Sequence, residues 1–113
     1  MIHIIVSRAT PEQIHDMSSF YGTVIKVAVD IEKRVLAGGG EMHADCEAAL
    51  LQIGSRNDDI WGANWTPSEQ KIEYEALLNI RARQNNRTMF LQDPARRERV
   101  RQIVTELLGG IEP

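Results

Sequence analysis

Between Ile25 and Ile31 the chain runs with a period of two: Ile25, Val27, Val29 and Ile31 alternate with Lys26, Ala28 and Asp30. A strand with one buried face produces that pattern and a helix does not, so any fold for this chain must contain a sheet. The polar Glu32-Lys33-Arg34 followed by Val35-Leu36-Ala37 predicts an antiparallel hairpin, closed by Gly38-Gly39-Gly40. Ile60 to Trp65 alternates again, with Trp61, Ala63 and Trp65 on one face and Asn64 on the other. The two Trp side chains read as core, because each brings a large apolar area. Beyond the Pro67-Ser68 turn, Ile72, Tyr74, Ala76, Leu78 and Ile80 predict a longer strand, opposite Glu73, Glu75, Asn79 and Arg81. Met1–Ser7 predicts a first strand and Met89-Phe90-Leu91 a short last one.

Three stretches take the other period. Asp93 and Pro94 open a C-terminal helix, in which Val100, Ile103, Val104, Leu107 and Leu108 recur at helical spacing before Gly109-Gly110. Thr10 and Gln13 have capping-box spacing around Pro11 and predict an N-terminal helix, with Ile14, Met17 and Tyr21 on one face and Gly22 as its stop. A short helix follows the three glycines and runs to about Gln52. The expected class is α+β: a mostly antiparallel sheet of about five strands, with N-terminal, central and C-terminal helices on one face. Residues 1–113 are enough for one globular domain.

Charge is split along the chain. From Asp30 to Glu75 there are ten acids and four bases; from Asn79 to Arg101 there are seven arginines and two acids. The two stretches are expected to neutralise each other, within the fold or across a homodimer. The net charge of −3 and an aromatic content of 5% argue against nucleic acid, since the stacking platforms of single-strand binders are missing. No apolar run is long enough to span a membrane, and the N-terminus lacks the features of a leader. With a single cysteine, Cys46, no internal disulfide can form, which fits a reducing compartment. The expected location is the cytoplasm.

Two segments carry the chemistry. The first is Glu41-x-His43-x-Asp45-Cys46-Glu47. On a helix, His43, Cys46 and Glu47 would share a face, as a zinc-like ion would need, while His43 with Asp45 and Glu47 could do acid/base work. The favoured alternative is structural: acids that complement a helix dipole, a half-buried His43, and Cys46 as a small core residue. The three glycines match no nucleotide loop and read as a tight turn needing positive φ. The second segment places Asn79, Arg81 and Arg83 on one side of a strand, followed by Asn86 and Arg87, with Asn64 able to join from the neighbouring strand. Such a donor row suits a small anionic ligand or an acidic partner. Its structural alternative is a ladder that pairs with the chain's own acids.

The stretches Gly39–Glu47, Gly54-Ser55 with Trp61–Asn64, and Asn79–Arg81 with Asn86-Arg87 together resemble a family of short bacterial, largely cyanobacterial, proteins known as a domain of unknown function. The resemblance runs from about Tyr21 to Leu108. It implies no activity and no cofactor. Three functions stand as expectations: a module that binds an anion through the Asn/Arg strand, a small hydrolytic or metal-assisted enzyme built on His43, and a homodimeric interaction or regulatory protein without a small-molecule site.

Overall fold

A computed structural model gives the fold of residues 1–112. Five strands, β1 (His3–Ile5), β2 (Ile25–Asp30), β3 (Val35–Gly38), β4 (Ile60–Thr66) and β5 (Lys71–Glu73), form one sheet in the order β1-β3-β2-β4-β5. Every neighbouring pair is antiparallel. Three α-helices complete the α+β fold: α1 (Pro11–Met17), α2 (His43–Gln52) and α3 (Pro94–Leu108). No helix among the described residues is long and apolar enough to cross a membrane.

The strand alternation has the expected consequence on the first face. Ile25, Val27, Val29, Trp61, Ala63 and Trp65 point into the larger core, where α1 contributes Ile14 and Met17. From α3 come Val100, Ile103, Val104, Leu107 and Leu108, all buried. Each such aliphatic side chain contributes roughly 1.5–3 kcal/mol by leaving water. The helix starts where expected, with Asp93 Oδ1 accepting from the Ala95 amide. The capping box of α1 is also formed: Thr10 Oγ1 accepts from the Gln13 amide while Gln13 Oε1 accepts from that of Thr10.

The helices do not share one face. Ala28, Ala37 and Ile60 point to the opposite side of the sheet, where Cys46 and Leu50 of α2 cover them. The reason lies in a row of small residues. Ala37 pairs with Ala28 across β3 and β2, and Ala28 pairs with Gly62 across β2 and β4. The row makes a flat floor, low enough for α2 and the chain after β5 to lie directly upon it.

The expected long strand from Ile72 to Ile80 stops at Glu73 and turns into a 3-10 helix at Leu77–Asn79. The chain there folds back over Gly62, whose missing Cβ would lie 2.5 Å from Cβ of Ala76. The strand expected at Met89–Leu91 is reduced to a single bridge between Phe90 and Glu75. Helix α1 ends at Met17, five residues before Gly22, and Tyr21 leaves the core to donate its hydroxyl to the Glu41 carbonyl. Among the three glycines, Gly39 carries the positive φ of 93°. A Cβ there would strike the Met1 carbonyl at 2.3 Å, so glycine is required by both conformation and space.

Part of the charge split is neutralised within the chain. Arg81 pairs with Glu47 at 3.4 Å, Arg99 with Glu32 at 3.1 Å, and Arg83 with Asp58. Three of the four arginines of α3, those nearest its N-terminus, where they oppose the helix dipole, are occupied as donors to neighbouring backbone. Arg96 donates to the Gln84 carbonyl, Arg97 to those of Leu91 and Gln92, and Arg99 to that of Ile31. Bonds from a charged donor of this kind contribute about 1.5–3 kcal/mol each, enough to outweigh the dipole term.

Candidate functional site

On the α2 face the sheet offers two polar side chains side by side, because Lys26 of β2 and Asn64 of β4 are register partners. Helix α2 stands along one side of them and the Ala76–Leu78 segment along the other. Between lies a cleft of about 590 Å³, lined by Lys26, Met42, His43, Ala44, Glu47, Asn64, Glu75, Ala76, Leu77, Leu78 and Met89. Its floor is polar and its walls are largely apolar, the composition general to small-molecule sites.

His43 is the first residue of α2 and reaches over the sheet. Its Nε2 lies 2.9 Å from the Ala63 carbonyl. A carbonyl only accepts, so Nε2 carries the proton and Nδ1 keeps its lone pair in the neutral ring. Burial pushes the imidazole pKa below its ordinary 6.5, and the nearby Lys26 charge acts in the same direction. Between 6.5 and that lower value the unfolded chain binds a proton at His43 that the folded chain refuses. Stability is therefore expected to be undiminished above 6.5 and to fall as the pH drops below it. The check is the difference in urea midpoint between wild type and His43→Gln, taken at about pH 8 and about pH 5. The wild type should lose ground relative to the variant in acid; a constant difference would mean that the ring titrates freely.

Asn64 is held from the other end. Its Nδ2 donates to the Glu75 carbonyl at 3.1 Å, which fixes the orientation of the amide. Its Oδ1 is buried and has no hydrogen-bond partner among the described residues. Lys26 stretches its ammonium group over the Tyr21 ring, 4.8 Å from the centroid.

The other predicted site residues go elsewhere. Asp45 accepts from the Met42 amide and so caps α2. Cys46 is fully buried against the sheet, with its thiol on the Lys26 carbonyl, and burial pushes its pKa up, so it stays a thiol. Glu47 turns to Arg81 and Asn57. The expected metal set of His43, Cys46 and Glu47 is thus not assembled. Among the described residues no group of three His, Cys, Asp or Glu side chains could hold an ion. Positions i, i+3 and i+4 share a helix face, but here Cys46 points down at the small-residue floor while His43 and Glu47 have separate partners.

The Asn/Arg row is dismantled by the same turn that ends β5. Asn79 is buried and clamps Gly62, accepting from its amide at 2.7 Å and donating to its carbonyl at 3.0 Å. Asn86 is buried as well and donates to the carbonyls of Asn79, Thr88 and Phe90. Arg81 stacks 4.6 Å above the Trp61 ring and donates to the Ile60 carbonyl. Arg83 is held by Asp58 and Asn57, and Arg87 lies exposed. Of the predicted residues, the cleft gathers His43, Glu47 and Asn64. It adds Lys26, Met42, Glu75, Leu77, Leu78 and Met89, which carried no periodic signal of a site. Lys26 and Glu75 were legible as polar residues on the second face of their expected strands.

The family model described as Protein of unknown function (DUF5674) matches residues 3–107. No curated protein and no solved structure matches the chain.

Proposed function

The chain belongs to this family of proteins of unknown function, DUF5674, and we infer from the cleft itself that it is a binding module for a small molecule. The observation that carries the reading is the α2 cleft, with His43 and Asn64 at its floor and exposed apolar side chains at its mouth. Leu77 is 65% exposed and Met42 53% exposed, an unfavourable state for two large apolar residues facing each other across a groove. The ligand is uncharged. Lys26 and Glu75 offset one another, Glu47 is spent on Arg81, and His43 is neutral, so no net charge is left to select an ion. Its body is apolar, for the walls, and its head carries a hydroxyl or amide for His43.

The enzyme reading keeps one support, the basic Nδ1 left when Nε2 is engaged. It has lost its other parts. The carboxylates expected to assist are a helix cap and an ion-pair partner, and Arg81 lies buried under Glu47 rather than in the cleft.

Titration of labelled protein with a library of neutral fragments, followed by NMR, tests the binding reading. The expected result is saturable shifts confined to the Asn64 side-chain amide, the Leu77 and Leu78 amides and the Met89 methyl. Ala44→Trp, at an exposed position of α2, should fill the cleft and abolish those shifts while leaving the melting temperature close to wild type. Shifts scattered over the surface, or unchanged in Ala44→Trp, would sink the proposal.

A further inference from the structure

The sheet has two edges, and the chain treats them differently. On the β5 side, Lys71 and Glu73 stand at exposed positions. The chain that continues β5 is covered in turn, because the Leu91 amide donates to the Tyr74 carbonyl and the Ala76 amide to that of Met89. Charge and a covering segment are ordinary protections of an edge against a foreign strand. The β1 side has neither. From Met1 to Ser7 there is no lysine, arginine, aspartate, glutamate or proline.

The backbone of β1 is bonded on one side alone. Just past β3, the Gly39 amide donates to the Lys26 carbonyl of β2. By the alternation of an antiparallel ladder, Ala37 also turns its backbone groups to β2, whereas Leu36 and Gly38 turn theirs to β1. Their register partners, Ile5 and His3, therefore bond to β3, and Ile4 between them points its N–H and C=O off the sheet. Among the described residues nothing takes those groups, nor the backbone groups of Ile2 and Val6, which follow Ile4 in the alternation. The side chains of the same three residues lie on the α2 face, since Ile5 is in the larger core and Ile4 packs against the smaller one. Helix α2 packs over β2 and β3 and leaves Ile2 37% and Val6 66% exposed.

We propose that β1 pairs with β1 of a second copy of this chain, antiparallel about a two-fold axis at Ile4, so that two sheets join into one. The strand is complementary to itself in that register. Ile4 meets Ile4 and exchanges both hydrogen bonds, and Ile2 meets Val6, so apolar faces apolar along the α2 face. Copies of a chain with a net charge of −3 repel one another, and this strand is an edge where they meet without opposing acidic side chains. The contact is small beside the roughly 800 Å² per partner of a stable dimer, so the dimer is weak, with a Kd on the order of 100 µM. It is independent of the α2 cleft, which lies over β2 and β4.

Sedimentation of the protein from about 10 µM to about 1 mM tests the pairing. The expected result is a monomer at the low end and a dimer at the high end. NMR spectra over the same range should shift the amides of Ile2, Ile4 and Val6, which gain partners, more than those of His3 and Ile5, which already bond to β3. Ile2→Lys and Val6→Lys, both at exposed positions, should each weaken the dimer by about tenfold or more and leave the melting temperature close to wild type. Ile2→Lys combined with Val6→Glu in one chain sets opposite charges face to face across the two-fold axis. That double variant should dimerise more tightly than Ile2→Lys alone, a rescue that requires the antiparallel register centred on Ile4. A protein still monomeric at about 1 mM, a dimer that both lysine variants leave intact, or a double variant no tighter than Ile2→Lys would overturn the proposal.

Discussion

Asn79→Ala is expected to destabilise the protein by about 3–4 kcal/mol, among the largest effects of any single polar side chain in it. Asn79 is fully buried and makes three good bonds: to the Gly62 amide at 2.7 Å, to its carbonyl at 3.0 Å, and to the Met89 carbonyl at 3.2 Å. Truncation removes these and strands the Gly62 N–H and C=O, while the Met89 carbonyl keeps the Ala76 amide at 3.1 Å. Chemical denaturation of the variant reads the loss directly, and for a chain of this size it lowers the melting temperature by roughly 10–20 °C. Asn79→Asp separates the bonds by sign. The acid keeps an acceptor for the Gly62 amide but turns an oxygen toward two carbonyls in place of the donor. At neutral pH it should be at least as damaging as alanine, and it should recover part of the loss in acid, when protonation restores a donor. If both variants unfold within about 1 kcal/mol of wild type, the clamp is not structural and Asn79 returns to the pool of ligand-binding candidates.

The same residue shows where sequence patterning stops being informative. Asn79 stands between Leu78 and Ile80 in a run whose alternation looks the same as that of β2, and from the sequence it belongs on the solvent face of a strand. Alternation states which side a residue takes if the chain stays in the sheet, and it is silent on whether the chain leaves. Here the departure is set by Gly62, seventeen positions earlier, and by a side chain that mimics a strand by bonding both the N–H and the C=O of that glycine. Arg81 was misplaced for the same reason. Its spacing suited a donor row, and its partners are a tryptophan ring and a backbone carbonyl, neither of which has a spacing signature.

Strands β2 to β4, the ends of α3 and the capping box of α1 were legible because their causes are local. A buried face repeats every second residue, and a cap lies within three positions of what it caps. The placement of α2 was less so. Its helical spacing is weak, and the clue that it covers the far side was the small size of Ala28, Ala37 and Gly62, which becomes meaningful only once the three are known to be neighbours. His43 was identifiable by type. What makes it a candidate, the bond to the Ala63 carbonyl and the facing wall of Leu77 and Leu78, comes from segments that no motif joins.

Gly62→Ala tests that whole construction from the floor. The added methyl would lie 2.5 Å from the Ala76 Cβ and 3.2 Å from the Leu78 Cγ. Real methyl groups do not approach that closely, and neither neighbour can swing away, because the segment is tied at both ends. The Ala76 amide donates to the Met89 carbonyl at 3.1 Å, and Asn79 grips Gly62 itself. The segment must therefore lift, at an expected cost of about 2–3 kcal/mol, the ordinary range for overpacking a tight contact. Lifting it also moves Leu77 and Leu78, so fragments that occupy the α2 cleft should bind the variant more weakly even at temperatures where it is fully folded. Ala76→Gly in the Gly62→Ala background removes the closest methyl. The double variant should regain at least half of the lost stability, whereas Ala76→Gly alone should be destabilising, and a coupling of that sign arises only if the two residues touch. Additive effects would mean that the chain after β5 does not rest on Gly62, and the cleft would lose the wall that makes it a site.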